Sequence, residues 1–226
     1  MPHPPSIPTP HDDLGQTLMR PASYDTRRGP RKRALAAGAA LLASFAVLES
    51  RRAQRLDRRA GAALSRPLGD SGDTVISAGT DLGSVYAICG LAAALTLAGR
   101  RRAAADVAGA GVLGWVAAQG LKPLVSRPRP YQADAVDRLV VEPSGASWPS
   151  GHVAVAAGMA GALSPRLPTG GKVVAAVGSV LVAYSRVYVG VHYLSDVVAG
   201  MGLGVLSAEG WRSIRRRITD WLARRT

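Results

Sequence analysis

Long apolar runs alternate with short polar, mostly basic segments along this chain of 226 residues. Most of the runs approach the length that crosses a bilayer once flanking residues are counted. Small residues recur within them at four-residue spacing, as in Ala110 with Gly114 and Ala154 with Gly158, which lets helices approach closely. The pattern predicts an all-α polytopic membrane protein, a six-transmembrane helix bundle with interfacial helices. The six predicted spans lie at about 34–48, 82–99, 103–121, 151–164, 173–184 and 193–208.

The segments outside these runs predict three further features. Residues 1–33 are rich in proline and end in "RRGPRKR", which is typical of a disordered basic tail. Residues 50–73 predict an Arg-rich surface helix broken at Pro67, and residues 211–226 a basic amphipathic C-terminal tail typical of an interfacial anchor. The run at 34–48 could also belong to a secretory signal, but no small-x-small cleavage site follows it. We therefore expect a membrane domain over residues 34–210.

The basic residues predict an orientation and limit the partners. "RRGPRKR", "RRR" at 100–102, Arg166 with Lys172, and "WRSIRRR" fall on one side if six helices alternate, and that side should be cytoplasmic. The basic stretch 51–66 opposes this orientation. A net charge of +13 indicates an anionic partner, yet the arginines lie between uncharged apolar runs and Phe45 is the only phenylalanine. A nucleic-acid module carries basic and aromatic side chains along a soluble face, so we expect lipid or a phosphorylated substrate and no nucleic acid.

Three polar loops should meet on the extracytoplasmic face: "KPLVSRPRP" (122–130), "SWPSGH" (147–152) and "SRVYVGVHYLSD" (185–196). Lys122 precedes a proline, which predicts that the third helix stops at about Lys122. Arg129 lies between two prolines that favour an extended backbone and aim its guanidinium, whereas Arg127 is expected to face solvent. Alternatively, these cations only extend toward lipid headgroups.

The other two loops supply a helix start and an imidazole–carboxylate pair. Ser150 is a natural N-cap, and Gly151 lets an anion approach the free N–H groups beside His152. His192 and Asp196 are four residues apart, so on a helix the carboxylate can accept from one ring nitrogen and leave the other for attack or proton transfer. Arg186 adds a bidentate phosphate donor. The alternatives are a capped helix with a bystander histidine and a His–Asp pair that only caps a helix.

A metal centre is the rival interpretation of these histidines. Two histidines and one aspartate, with no cysteine or further carboxylate nearby, make a poor ligand set beside three cations. We therefore expect a phosphate site without a metal or cofactor.

The three motifs resemble those of the type 2 phosphatidic acid phosphatase superfamily, integral-membrane phosphatases related to the vanadium haloperoxidases and bacterial acid phosphatases. The pattern Lys-x6-Arg-Pro, Pro-Ser-Gly-His and Ser-Arg-x5-His-x3-Asp is filled at residues 122–130, 149–152 and 185–196. The resemblance implies that residues 34–210 form a membrane phosphatase domain. It also implies that His192 attacks phosphorus to form a phosphohistidine, Asp196 orients it and His152 protonates the leaving oxygen. The phosphoryl oxygens would be held by Lys122, Arg129, Ser150, Gly151 and Arg186.

The expected function is hydrolysis of a lipid phosphate or diphosphate headgroup in the cell membrane. Phosphatidic acid, phosphatidylglycerol phosphate and polyprenyl diphosphate are all compatible substrates, and the bilayer is the expected partner; a homo-oligomer is left open. One alternative is a lipid phosphotransferase that uses the same phosphohistidine. Another is a non-enzymatic membrane protein that binds anionic lipids through its arginine clusters. A vanadium-dependent peroxidase is disfavoured because the pocket would lie among membrane spans.

Overall fold

A computed structural model describes residues 28–134 and 136–225. All regular secondary structure in these ranges is helical, which confirms the all-α prediction for the described part of the chain. Short 3₁₀ turns lie at Thr80–Gly83 and Ser164–Arg166, between longer helices. The helices are α1 Arg28–Glu49, α2 Arg51–Leu64, α3 Asp70–Gly79, α4 Val85–Leu97, α5 Arg101–Val125, α6 Pro130–Ala133, α7 Gly151–Leu163, α8 Thr169–Tyr188 and α9 Leu194–Ala223.

The ends of the chain differ from the predicted segmentation. Residues 28–33, assigned from sequence to the basic tail, form the first turns of α1, and residues 1–27 lie outside the described residues. At the other end α9 runs unbroken from Leu194 to Ala223. Most of the predicted C-terminal tail, 211–226, therefore continues the helix that begins at Leu194.

The expected count of six spans is not confirmed. Among the described residues, only α8 is long and apolar enough by itself to cross a membrane. Two bent pairs qualify if each is one span: Gly29–Glu49 with Arg51–Leu64, bent by 106°, and Asp70–Gly83 with Val85–Leu97, bent by 68°. The predicted span at 151–164 corresponds to α7, whose 13 residues are shorter than the ~20 that a straight crossing needs. The 25-residue α5 has charged residues near both ends, from Arg101 to Lys122.

Helices α5, α7 and α9 pack through small residues that bring backbones into contact. A Cβ atom added to Gly114 would lie 2.9 Å from the Ala154 carbonyl oxygen, and one added to Gly158 would lie 2.9 Å from that of Ala110. A Cβ atom on Gly204 of α9 would lie 2.5 Å from the Ala154 oxygen. The small-residue pairs read from the sequence are thus the places where α5 and α7 touch reciprocally.

The outer helices expose apolar side chains. Val174 and Leu181 of α8, Tyr86 and Leu97 of α4, and Leu42 of α1 are exposed. Apolar surface of this extent needs an apolar medium or a partner. These faces are therefore the ones that suit contact with lipid.

Adding one methyl group at the helix contact should destabilise the fold. We expect Gly204→Ala to cost about 1–3 kcal/mol, because the new Cβ overlaps the α7 backbone, which cannot move away as a flexible side chain would. The matched control is Gly178→Ala on α8, where no atom lies within 4 Å of the added Cβ and helix propensity favours alanine by about 1 kcal/mol. The test is thermal unfolding in detergent. Equal Tm values for the two variants would contradict the packing described here.

Candidate active site

One cavity of about 480 Å³ gathers residues from all three motif loops. It lies where α5 ends, α7 begins and α8 meets α9. Two of the eight residues proposed from sequence, Ser150 and Asp196, are fully buried and are not among those that line the cavity. The six that line it are Lys122, Arg129, Gly151, His152, Arg186 and His192.

The imidazole of His192 lies between a carboxylate and a guanidinium. Its ring is in the loop between α8 and α9 and is only 3% exposed. Nδ1 lies 3.5 Å from Asp196 Oδ2, and Nε2 lies 3.5 Å from Arg129 Nη1. Burial lowers the pKa of His192 to about 3, and the charges of Arg129 and Arg186 add to this lowering while Asp196 opposes it. The ring is therefore neutral at neutral pH, with Nε2 on the side of the cations.

The Asp196 carboxylate has several hydrogen-bond donors around it. Arg127 Nη1 donates to Oδ1 at 2.6 Å, and the backbone N–H of Tyr193 donates to Oδ2 at 2.8 Å. The Ser147 hydroxyl also donates to Oδ2. A buried carboxylate with this many donors stays ionised and fixed in position. It can therefore orient His192 from behind.

The two buried arginines of the cavity differ in how many donors remain free. Arg129 is extended at φ −82° and ψ 160°, as predicted from its flanking prolines. Its guanidinium donates to the backbone carbonyls of residues 144, 145, 146 and 191, so it also ties the loop before α7 to the loop that holds His192. Arg186 donates from Nη1 to Thr80 Oγ1 at 2.8 Å, whereas its buried Nε has no hydrogen-bond partner among the described residues. Arg186 thus keeps a donor available for an anion.

The start of α7 differs in one respect from the sequence prediction. Ser150 occupies the N-cap position, but its side chain makes no capping bond and its buried hydroxyl has no partner among the described residues. Its backbone N–H donates instead to the Asp196 carbonyl at 3.0 Å. The contact ties α7 to α9. Gly151 and His152 follow directly and face the cavity.

The end of α5 also differs from the prediction. The helix does not stop at Lys122 but continues through Pro123 to Val125 and ends at Ser126, whose φ of 48° is left-handed. A proline this close to a helix end removes one intrahelical donor and leaves no long helix beyond it to distort. Lys122 therefore lies in the last helical turn, where the geometry of α5 fixes its direction into the cavity.

The expectation that Arg127 faces solvent is wrong. Its side chain is 9% exposed and bridges two carboxylates: Nη1 donates to Asp196, and Nη2 donates to Asp57 Oδ2 at 2.8 Å. The guanidinium also lies 3.9 Å from the ring centroid of Tyr193. Asp57 accepts from the Ser195 backbone N–H at 3.0 Å as well. Asp57 is the only acidic residue within α2, and this isolated carboxylate is the feature of the sequence that could have indicated the bridge.

The break between α3 and α4 forms a wall of the cavity that the motifs do not reveal. Thr80 of the 3₁₀ turn holds Arg186, and Asp81, Ser84 and Tyr86 line the cavity. A Cβ atom on Gly83 would overlap the backbone of His152, so only glycine allows this close approach.

The charges of the cavity favour an anion. Lys122, Arg129 and Arg186 line it together with one carboxylate, that of Asp81. Over the described residues no group of three or more His, Cys, Asp or Glu side chains could hold a metal ion. A cavity with an excess of fixed cations and few competing carboxylates suits a phosphate group.

Comparisons with known proteins agree on one family. The PAP2 superfamily pattern matches residues 103–220. The fold is similar to a transmembrane PAP2-type phosphatidylglycerolphosphate phosphatase from Bacillus subtilis, with a TM-score of 0.70 and 25% identity over 82% of this chain and 97% of that one. It is also similar to LpxE from Aquifex aeolicus, with a TM-score of 0.63 and 25% identity over 69% and 93% of the two chains. An undecaprenyl-diphosphatase from Sulfolobus acidocaldarius is 43% identical over 63 residues, 28% of this chain and 31% of that relative's length.

Removing the cation between the two buried carboxylates should destabilise the protein. We expect Arg127→Gln to cost about 3–5 kcal/mol, because Asp57 and Asp196 are left buried without their shared partner. The matched control is Arg58→Gln, at the residue that follows Asp57 in α2. The half-exposed ion pair of Arg58 with Asp134, at 3.7 Å, should contribute less than about 1 kcal/mol. Unfolding in detergent measures both. A loss for Arg127→Gln no larger than that for Arg58→Gln would show that the bridge does not stabilise the site.

Proposed function

The chain belongs to the PAP2 superfamily, and from this premise we propose that it is an integral-membrane lipid phosphatase that hydrolyses a phosphate or diphosphate headgroup. The observation that carries the proposal is the position of His192, whose neutral ring lies between a fixed carboxylate and the cations of one cavity. This arrangement provides a nucleophile, its orienting group and a binding site for the group under attack. The names of two relatives, a phosphatidylglycerolphosphate phosphatase and an undecaprenyl-diphosphatase, support a lipid substrate.

In the proposed first step the phosphoryl group binds among Lys122, Arg129 and Arg186. His192 Nε2 attacks phosphorus, and the bond from phosphorus to the leaving oxygen breaks as the new P–N bond forms. His152 gives its proton to the leaving oxygen. Asp196 stabilises the positive charge that develops on the His192 ring, while the cations stabilise the spreading negative charge on the phosphoryl oxygens.

In the second step water takes the place of the leaving group. His152, now neutral, accepts a proton from the water as its oxygen attacks the phosphohistidine. The P–N bond breaks, inorganic phosphate leaves and His192 is neutral again. An acceptor alcohol in place of water would give phosphoryl transfer, so the fate of the phosphate separates the hydrolase from the transferase.

The surroundings of the cavity support a substrate whose chains remain in the bilayer. Tyr86 and Trp115 both line the cavity, and Tyr86 is 87% exposed on the outer surface of the bundle. Aromatic side chains in such positions suit the boundary between headgroups and acyl chains. A phosphate monoester or diphosphate could then enter the cation cluster without its lipid chain leaving the membrane.

The direct test is phosphate release from detergent-solubilised protein offered phosphatidic acid, phosphatidylglycerol phosphate and a polyprenyl diphosphate. We expect release from at least one of them without added metal and unchanged by a chelator. His192→Ala should lower kcat by about 10³-fold or more, and Asp196→Asn by about 10²-fold or more, because the nucleophile is absent or misoriented. Loss of activity with chelator, or unchanged rates in both variants, would overturn the proposal. Arg58→Gln, away from the cavity, is the control for purification and folding.

The pH dependence of kcat should be bell-shaped. The nucleophile must be neutral, so the rate falls as acid protonates His192; since burial lowers the pKa of His192 to about 3, this limb should lie well below the ordinary histidine pKa of about 6.5. The alkaline limb should reflect loss of the proton on His152 in the substrate complex. Burial and the charges of Arg186, Lys122 and Arg129 lower the pKa of His152 to about 3 in the empty cavity, and the negative charge of a bound phosphate raises it. Rates measured between about pH 3 and about pH 9 test this. An acid limb centred near 6.5 would contradict a buried neutral nucleophile.

A further inference from the structure

A second cavity, of about 440 Å³, lies at the far end of the bundle from the candidate active site. Asp106 lines it and Lys122 lines the active-site cavity, sixteen residues apart on α5. At about 1.5 Å per residue the two cavities are about 24 Å apart along the helix. Within 28–134 and 136–225, no residue lines both of them. The second cavity is therefore a separate place that the proposed reaction does not use.

This cavity has an excess of positive charge. Its lining contains two carboxylates, Asp106 and Glu209, against five guanidinium groups. Those guanidinium groups come from α1, from the turn after α7 and from residues 212–216 of α9, and they belong to Arg33, Arg166, Arg212, Arg215 and Arg216. A cluster of this kind is unfavourable near a bilayer unless another anion joins it.

The two carboxylates order the arginines without neutralising them. Asp106 is buried, accepts from Trp211 Nε1 at 3.0 Å, and pairs with Arg215 at 2.9 Å and with Arg166. Glu209 pairs with Arg33 at 3.1 Å and with Arg212 at 2.6 Å. Each acid thus serves two cations. These ion pairs hold four of the five guanidinium groups, those of Arg33, Arg166, Arg212 and Arg215, in fixed positions around the cavity.

Two of the guanidinium groups keep donors for a further anion. The Nε atom of Arg212 is buried and has no hydrogen-bond partner among the described residues. Arg216 lines the cavity, and no carboxylate of the described residues forms an ion pair with it. Planar guanidinium donors of this kind match phosphate oxygens in pairs.

We propose that this cavity binds the phosphate of an anionic lipid headgroup. The apolar surface beside it indicates a lipid as the source: Leu35 of α1 and Ile214 and Ile218 of α9 are exposed on the helices that carry the arginines. A lipid whose phosphate lies among the arginines can keep its acyl chains against these residues. Basic pockets between membrane helices are recognised sites for such headgroups.

The test is a titration of the full-length protein in neutral detergent, with Tm as the readout. The additions are phosphatidylglycerol, phosphatidylcholine and inorganic phosphate. Phosphatidylglycerol should raise Tm in the wild type, and Arg216→Gln should raise its half-saturating concentration about fivefold, the effect of one lost cation–phosphate contact. The matched control is Arg217→Gln, which removes the same charge from the neighbouring exposed residue that does not line the cavity.

The possible outcomes distinguish what causes the rise in Tm. Equal responses of the two variants would show that binding reflects only the general charge of α9, and would overturn the proposal. If phosphatidylglycerol raised the Tm of every variant except Lys122→Gln, the lipid would be assigned to the active-site cavity. That result would also overturn the proposal. Stabilisation by inorganic phosphate with the same dependence on Arg216 would assign the site to free phosphate and overturn the lipid. Phosphatase rates of Arg216→Gln should remain those of the wild type, so failure of this proposal leaves the proposed enzyme function intact.

Discussion

The ion pair between Arg127 and the buried carboxylate of Asp196 is the contact on which the candidate site depends. A carboxylate removed from water is stable only if donors replace its hydration, and here a guanidinium, a hydroxyl and a backbone N–H do so. The backbone carbonyl of Asp196 accepts the Ser150 N–H, so the same residue joins the start of α9 to the start of α7. The position of His192 against the cations follows from this junction.

Much of the arrangement can be read from local sequence. The Gly and Ala spacing that predicts close helix contact marks the residues at which α5 and α7 touch. A residue without a bulky side chain lets the facing helix approach at that same position, so the contact can be predicted locally. The prolines around Arg129 predict its extended backbone, because the ring of Pro130 disfavours the helical region for the residue before it. The three motifs also predict which residues line the cavity, apart from Ser150 and Asp196, which lie behind its wall.

The features that sequence did not predict depend on partners far along the chain. Arg127 and Asp57 are separated by 70 positions, and no local pattern shows that two charged residues will neutralise each other in the interior. The unused Ser150 side chain has a similar cause, since its helix start is joined to α9 through the backbone instead. The count of six spans is not confirmed, and a hydropathy window cannot register a bend such as that of 68° between Asp70–Gly83 and Val85–Leu97.

Asp57 has a consequence for how members of this family are recognised. All three motifs lie after residue 121, whereas the carboxylate that completes the Arg127 bridge lies in a polar helix before residue 65 that has no motif of its own. A paralogue or truncated gene product without an equivalent of α2 would still satisfy a motif search, yet its equivalent of Arg127 would lack the second carboxylate of the bridge. Annotation transferred from signature matches alone would then credit such a fragment with an intact catalytic centre.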